Sequence, residues 1–281
     1  MNDSNTELTN RYSLAKSLAR EAGAFAHAYF QRRSELVVES KGTQDEVSIA
    51  DRDTEAFIRK RISEAFPNDG ILGEEGADES AGHRIVWVLD PIDGTACFVN
   101  GMFSWCVSIA IVVDGVPSVG AVFDPNANEL FHAVRGGGAF VNDQPIRVKA
   151  VGDFKGGVLG VGFSHRSQPD GFVQFMATLL SSGGMFIRNG SGALMICYVA
   201  AGRLIGYYEP HINSWDCLAG IVIVEAAGGV ANDFLASNGL YDGNPIIVAG
   251  PALYPTLCRA IQDKPWIDPL TGLYSHPTQP L

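Results

Sequence analysis

The chain has 281 residues, 46% of them hydrophobic and 18% charged, with a formal net charge of −11. That composition suits one large domain, or two halves sharing an interface, around a sizeable core. The negative balance argues against a surface built to neutralise a nucleic-acid backbone or to lie on an anionic membrane, and no apolar run approaches the roughly 18–20 residues that span a bilayer. Residues 1–9 are polar and lack the basic-then-apolar pattern of a signal peptide. Cys97, Cys106, Cys197, Cys217 and Cys258 are scattered, form no Cys-x-x-Cys pair and sit mostly among apolar neighbours. They predict reduced core thiols in a cytoplasmic protein, and no zinc site.

Residues 12–32 read as an amphipathic helix, with Leu14, Leu18, Ala22, Phe25 and Tyr29 near helical spacing. Residues 37–45 form a polar connection containing Lys41-Gly42. Asp51 reads as the N-cap of a second helix, with Thr54-Glu55 in its first turn and Phe57, Ile58 and Ile62 as its buried face. Pro67-Asn68-Asp69-Gly70 is a turn, and a short strand, Ile71-Leu72, leads into Gly73-Glu74-Glu75. The apolar run 85–89 predicts a buried strand that stops near Asp90, because Pro91 has no N–H to give a sheet. Gly94-Thr95 can then open a short helix, whose free N–H groups suit an anion.

Runs 107–113 and 116–123, joined by Asp114-Gly115, predict a hairpin, and runs 130–134 and 139–141 continue it as a meander. Gly136-Gly137-Gly138 between them lacks the spacing, the following helix and the lysine of a phosphate loop, and reads as a turn. Residues 151–157 make a join between halves. Beyond it come a strand at 158–161, helices at 171–180 and 191–201, a strand at 204–208, a helix at 216–227 and a strand at 246–248. Such alternation predicts a layered α/β arrangement. Residues 263–281, with four prolines, read as an extended or disordered arm.

Glu74, Asp90, Asp93 and Asp216 all fall at element ends, where side chains can converge on one rim of a layered fold. Three have ordinary alternatives: Asp216 as a helix cap, Glu74-Glu75 as a solvated turn, Asp93 as a turn residue before Gly94. Asp90 ends an apolar run and would be half-buried without a partner. Hard cations such as Mg²⁺ take oxygen ligands and bridge to phosphate, which would reconcile acidic side chains with an anion cradle.

Four ordered motifs carry a resemblance that runs over about residues 12–261: Asp45-Glu46-Val47-Ser48-Ile49-Ala50-Asp51, Gly73-Glu74-Glu75, Trp87-Val88-Leu89-Asp90-Pro91-Ile92-Asp93-Gly94-Thr95, and Trp215-Asp216-Cys217-Leu218-Ala219-Gly220. The chain resembles the inositol monophosphatase family of the lithium-sensitive, magnesium-dependent phosphatase superfamily. The resemblance implies an α+β fold, a layered αβαβα sandwich of the inositol monophosphatase and fructose-1,6-bisphosphatase type. Half 1–150 would carry most metal ligands, half 151–262 would carry Asp216 and substrate contacts, and 263–281 would be a Pro-rich tail.

On the family pattern, Glu74, Asp90 and the Ile92 carbonyl hold one Mg²⁺, while Asp90, Asp93 and Asp216 hold a second. Glu74 also reaches a third through water. The implied reaction is hydrolysis of a small polyol or sugar phosphate, best inositol monophosphate, by a metal-activated water. Thr95 would orient that water with Asp45 behind it, Glu74 would help position it, and Gly94 and Thr95 would hold the phosphate. Asp93, Gly190-Ser191-Gly192, Glu209 and Asp216 would contact the substrate. Ala96-Cys97-Phe98 departs from the family's usual Thr or Lys, Asn, Phe, and His211 reads as an exposed loop residue. A homodimer is implied, with no nucleic-acid or membrane partner. The alternatives are a histidinol-phosphate phosphatase of the same family and a non-enzymatic regulatory partner that retains the fold.

Overall fold

The computed structural model describes residues 3–35, 38–42, 45–164, 166–262, 266–267 and 274–275, with side chains described over 6–34, 48–164 and 166–262. Helix α1 (Asp3–Gln31) begins earlier than its hydrophobic periodicity suggests and lays a row of small residues, Ala15, Ala19, Ala22 and Ala26, against its neighbours. The polar connection that follows contains an antiparallel pair, β1 (Val38–Gly42) and β2 (Asp45–Ser48). Helix α2 (Ile49–Ala65) starts before Asp51, because Ser48 is the N-cap and Asp51 closes its capping box. Asp51 Oδ2 accepts from Ser48 N at 2.9 Å, so the carboxylate is turned back into the protein at the third helical position.

A seven-stranded sheet follows: β3 (Gly70–Gly73), β4 (Ile85–Asp93), β5 (Cys106–Val113), β6 (Val116–Asp124), β7 (Glu129–Val134), β8 (Ala139–Val141) and β9 (Gln144–Pro145), in that spatial order. Only β3 and β4 are parallel; the rest form the meander. The sequence stops β4 near Asp90, whereas the strand runs to Asp93. Asp90 pairs with Ser108 and Asp93 with Cys106, so two residues of β4, Pro91 and Ile92, oppose one of β5, Val107, across a bulge. Pro91 sits inside that bulge, where a missing N–H costs no ladder bond. Helix α3 (Thr95–Val99) opens at Gly94, whose φ of 94° favours glycine.

The second sheet contains β10 (Val158–Val161), β11 (Met185–Ile187), β12 (Gly206–Ile212), β13 (Val230–Ala231) and β14 (Asn244–Ala249), ordered β11-β10-β12-β14-β13. Strand β11 is a three-residue apolar run, all exposed, with no alternation to mark it in the sequence. The remaining helices are α4 (Pro169–Ser181), α5 (Gly192–Ala200), α6 (Ser214–Ala226), α7 (Gly239–Asp242) and α8 (Tyr254–Gln262). The arm expected over 263–281 lies outside the described residues apart from a short antiparallel pair, Trp266–Ile267 with Tyr274–Ser275.

Burial assigns the layers. Leu18 and Ala22 of α1 and Ile58 and Ile62 of α2 pack with Trp87, Leu89, Ile109 and Ile111 on one face of the first sheet. Val88, Ala110 and Phe131 on its other face meet Leu194 and Ile196 of α5 and Leu218 and Val222 of α6, which also pack on Tyr207, Ile246 and Val248 of the second sheet. Phe175 and Leu179 of α4 and Leu257 of α8 cover the outer face with Leu159, Val161 and Tyr208. The order is helix, sheet, helix, sheet, helix: an αβαβα sandwich. Strand β4 is buried on both faces, which explains its unbroken apolar run. A Cβ on Gly120 would fall 2.2 Å from the Ala219 carbonyl oxygen, so α6 rests directly on β6 there. Among the described residues, no helix is long and apolar enough to cross a membrane.

Candidate active site

The C-terminal ends of β3 and β4, the start of α3, the loop after β10 and the starts of α5 and α6 meet around one cavity. It measures about 160 Å³ and is lined by residues that include Glu74, Asp90, Ile92, Asp93, Gly94 and Thr95. Its other wall includes Gly190, Gly192, Glu209 and Asp216. Carboxylate oxygens of Glu74, Asp90 and Asp216 lie within 4.8 Å of one another. They come from three distant stretches of chain, and β4 supplies the centre because its buried core fixes where it ends.

Asp90 is 1% exposed, and its Oδ1 accepts from Ile92 N at 2.9 Å across the bulge. Burial, then the charges of Glu74, Asp93 and Asp216, push its carboxyl well above the usual range. Burial, then the Asp216 charge, pushes Asp93 up to about 7. Asp93 Oδ2 accepts from Ser191 Oγ and, at 2.8 Å, from Ala193 N, which ties β4 to the start of α5. Asp93 therefore lines the cavity beside the three-carboxylate cluster with one oxygen already engaged.

Asp216 occupies the third position of α6. Its Oδ2 accepts from Asn213 N at 3.1 Å, so it closes a capping box and faces the cavity at once. Burial raises its pKa, opposed first by a hydrogen bond shared with Asp90 and then by the Asn213 N–H. An all-oxygen set, half-buried to buried, destabilised by its own charge and open to this cavity, fits a hard divalent cation. Glu74, Asp90 and Asp216 could hold it, with Asp93 and the Ile92 carbonyl adjacent.

Thr95 Oγ1 lies 3.2 Å from Asp51 Oδ1 and 3.1 Å from the Ile92 carbonyl oxygen, two acceptors for one proton. The resemblance put Asp45 behind Thr95. The Asp45 side chain lies outside the described residues, and the carboxylate placed on Thr95 is Asp51. Its capping box turns it inward, a signal present in the spacing of Ser48 and Asp51. Asp51 is 1% exposed, and burial raises its pKa against hydrogen bonds from Ser48 and Thr95.

On the opposite wall, Gly190 and Gly192 line the cavity, whereas Ser191 is buried beneath it. Ser191 Oγ accepts from Leu194 N at 3.2 Å, so the serine caps α5. Glu209 Oε2 accepts from the buried Tyr207 hydroxyl at 2.5 Å, and burial pushes Glu209 up to about 7. Tyr207 was not foreseen, although its spacing of two from Glu209 on a strand puts both on one face. His211 is half-buried and lines the cavity rather than lying exposed, held by Nε2 at 3.0 Å from the Asp242 carbonyl oxygen. Arg166 also lines it and donates to Asn213 Oδ1 at 2.9 Å; it sits in an irregular loop with no sequence signal. The departure at Ala96-Cys97 does not reach the cavity wall: Cys97 is 3% exposed and its thiol donates to the Asn189 carbonyl at 3.3 Å.

A profile of the inositol monophosphatase family matches residues 7–265. Nus factor SuhB of Pasteurella multocida is 40% identical over 253 residues, 89% of this chain and 95% of that protein. Extragenic suppressor protein suhB of Bartonella henselae superposes with a TM-score of 0.83 at 33% identity, covering 88% of this chain and 96% of that one. Inositol monophosphatase from Anabaena does so with a TM-score of 0.79 at 30% identity, covering 92% and 98%. The fold, the ordered motifs and the profile agree: the chain belongs to the inositol monophosphatase family.

Proposed function

We propose that the protein is a Mg²⁺-dependent phosphate monoester hydrolase acting on a small polyol phosphate, with inositol monophosphate as its preferred substrate. The observation that carries the proposal is the Glu74–Asp90–Asp216 oxygen cluster, within 4.8 Å, in a cavity whose wall is completed by Gly94 and Thr95. Two to three Mg²⁺ ions, when bound, supply the positive charge that a phosphate dianion needs and acidify a water. Glu74, Asp90, Asp216, Asp93 and the Ile92 carbonyl would hold them.

The chain's own groups do the rest. The N–H groups of Gly94 and Thr95 take a phosphate oxygen. Thr95 donates a hydrogen bond to Asp51 and so turns a lone pair outward, where it accepts a hydrogen bond from the attacking water and orients it in line with phosphorus. Monoester hydrolysis without a catalyst is slow enough to require roughly 20 kcal/mol or more of barrier reduction, so alignment and charge must act together. Thr95→Ala and Asp51→Asn should each lower kcat about 10²–10³-fold with little change in KM, and the double variant should lose no more than the worse single one. Additive losses in steady-state phosphate release would separate the two residues.

Glu209 accepts a hydroxyl of the substrate with the oxygen that Tyr207 leaves open, which favours a polyol over an apolar ester. Glu209→Gln should raise KM for inositol monophosphate about tenfold while altering kcat far less. An unchanged KM would remove Glu209 from the substrate site. Histidinol phosphate is the alternative substrate within the same chemistry.

A homodimer belongs to the same proposal. Strand β11 is a sheet edge on which Met185, Phe186 and Ile187 are 67%, 46% and 45% exposed, an apolar run that pairing would cover. Phe186→Glu should shift the protein toward monomer in analytical sedimentation. A wild-type monomer would count against the dimer. A cytoplasmic location is supported by five unpaired thiols. The name Nus factor, borne by relatives at up to 41% identity, favours a second reading as a regulatory partner. Partner capture by a hydrolytically silent Asp90→Asn protein would distinguish the two roles.

A further inference from the structure

Helix α2 carries a second buried carboxylate one turn beyond Asp51. Glu55 is 1% exposed and does not line the cavity. It faces the turn Gly73-Glu74-Glu75-Gly76, which closes around it. Oε2 accepts from Glu75 N at 2.8 Å, and Oε1 accepts from Gly76 N at 2.8 Å and from Arg59 Nε at 2.7 Å. Both glycines are shaped to this carboxylate. A Cβ on Gly73 would fall 2.4 Å from Glu55 Oε1, and one on Gly76 would fall 2.6 Å from the same atom.

Glu74 lies between these two contacts. Its own N–H donates to the Leu89 carbonyl of β4 at 3.2 Å. The backbone of Glu74 is thus pinned on one side to the strand that ends in Asp90, and on the other to α2 through Glu55. A buried, charge-assisted acceptor for two consecutive N–H groups fixes a turn more firmly than a solvated loop could. The sequence places Glu55 in a first helical turn. The helix begins earlier, so Glu55 falls in the second turn and points at the loop.

We propose that Glu55 is a positioning residue for Glu74: it holds the 73–76 turn so that the Glu74 carboxylate reaches Asp90 and Asp216, and divalent-ion affinity depends on it although it touches no ion. The proposal rests on the site being a divalent-metal centre. Groups that support metal ligands from behind commonly change affinity by 10–100-fold when altered.

The test is Mn²⁺ binding to the full-length protein, with free ion counted by electron paramagnetic resonance and Mg²⁺ added as competitor. Two variants are compared with wild type. Glu55→Gln places an amide against N–H donors that need an acceptor. Gly76→Ala, on the exposed rim of the turn, crowds both Oε1 and the Arg59 Nε that donates to it, while leaving the Glu55 charge in place. Each should weaken Mn²⁺ binding about tenfold or more. Each should also raise the Mg²⁺ concentration for half-maximal phosphate release by a similar factor, with substrate KM at saturating Mg²⁺ unchanged.

Melting curves in chelator show which variants are folded; if Glu55→Gln is not, Gly76→Ala carries the test. A folded variant with lowered melting temperature but wild-type Mn²⁺ affinity makes Glu55 purely structural and overturns the proposal. Wild-type protein that binds no Mn²⁺ overturns both the metal-centre reading and this one, and is told apart by the wild-type titration alone.

Discussion

Asp90→Asn should abolish most phosphate release, by about 10³-fold or more, while making the metal-free protein more stable. The two effects share one cause. Asp90 is buried beside Glu74, Asp93 and Asp216, and its ionised form is disfavoured first by burial and then by their charges. Asparagine has the same shape and keeps an oxygen for Ile92 N, now at 2.9 Å from Asp90 Oδ1, but carries no charge. In chelator, the variant therefore loses repulsion and should melt higher than wild type. With Mg²⁺ present, it lacks the carboxylate at the centre of the cluster and should show little stabilisation by the ion. Phosphate release and melting, each with chelator and with Mg²⁺, check both halves. A variant that is inactive yet less stable in chelator would mean that Asp90 is a structural support rather than a destabilised ligand.

The second large effect is the pH dependence of metal stabilisation. Asp93 is raised from 3.8 to about 7, and Glu209 from 4.5 to about 7, in both cases chiefly by burial. Between about pH 4 and pH 7 the folded, metal-free protein holds protons that the unfolded chain has released. Stability from these groups is complete below the unfolded values and is lost as pH rises through about 7. For Asp93 the full loss is about 4 kcal/mol.

His132 works in the opposite direction. Burial lowers it from 6.5 to about 4, so its contribution falls as pH drops through that range. It lies away from the cavity, in contact with Tyr12 through Nδ1 at 2.5 Å, and should respond equally with and without metal. The difference between melting temperature in Mg²⁺ and in chelator removes its effect. That difference should be small at pH 5 and should grow to on the order of 10 °C by pH 7.5, since the ion competes with protons for the same oxygens. A difference that shrinks as pH rises would contradict the assignment of Asp93 and its neighbouring carboxylates to a metal site.

Much of this was legible in the sequence because burial leaves a pattern. Strand β4 is apolar on both faces and reads as one buried run; Asp114-Gly115 turns between β5 and β6 where expected. The carboxylates stood out because each ends such an element. What could not be read was geometry set by exceptions. A bulge carries β4 past Pro91, so Asp90 and Asp93 belong to the strand itself. Ser48 caps α2 earlier than the hydrophobic pattern implies, which moves Asp51 from the helix entrance to the hydroxyl of Thr95 and aims Glu55 at the 73–76 turn. Strand β11 escaped because its three side chains are exposed and show no alternation. Helix α8 escaped because its apolar stripe, Leu257, Ala260 and Ile261, is short, packing on α4 and the outer sheet face.

The central claim is that three converging carboxylates make a metal-dependent phosphatase. It is tested most directly by phosphate release from inositol monophosphate, set beside histidinol phosphate and fructose-1,6-bisphosphate, with Mg²⁺, with chelator, and with lithium as competitor. Release should require Mg²⁺, be fastest with inositol monophosphate, be inhibited by lithium and be lost in Asp90→Asn. Release that persists in chelator, or no release from any of these esters with Mg²⁺ present, would contradict it.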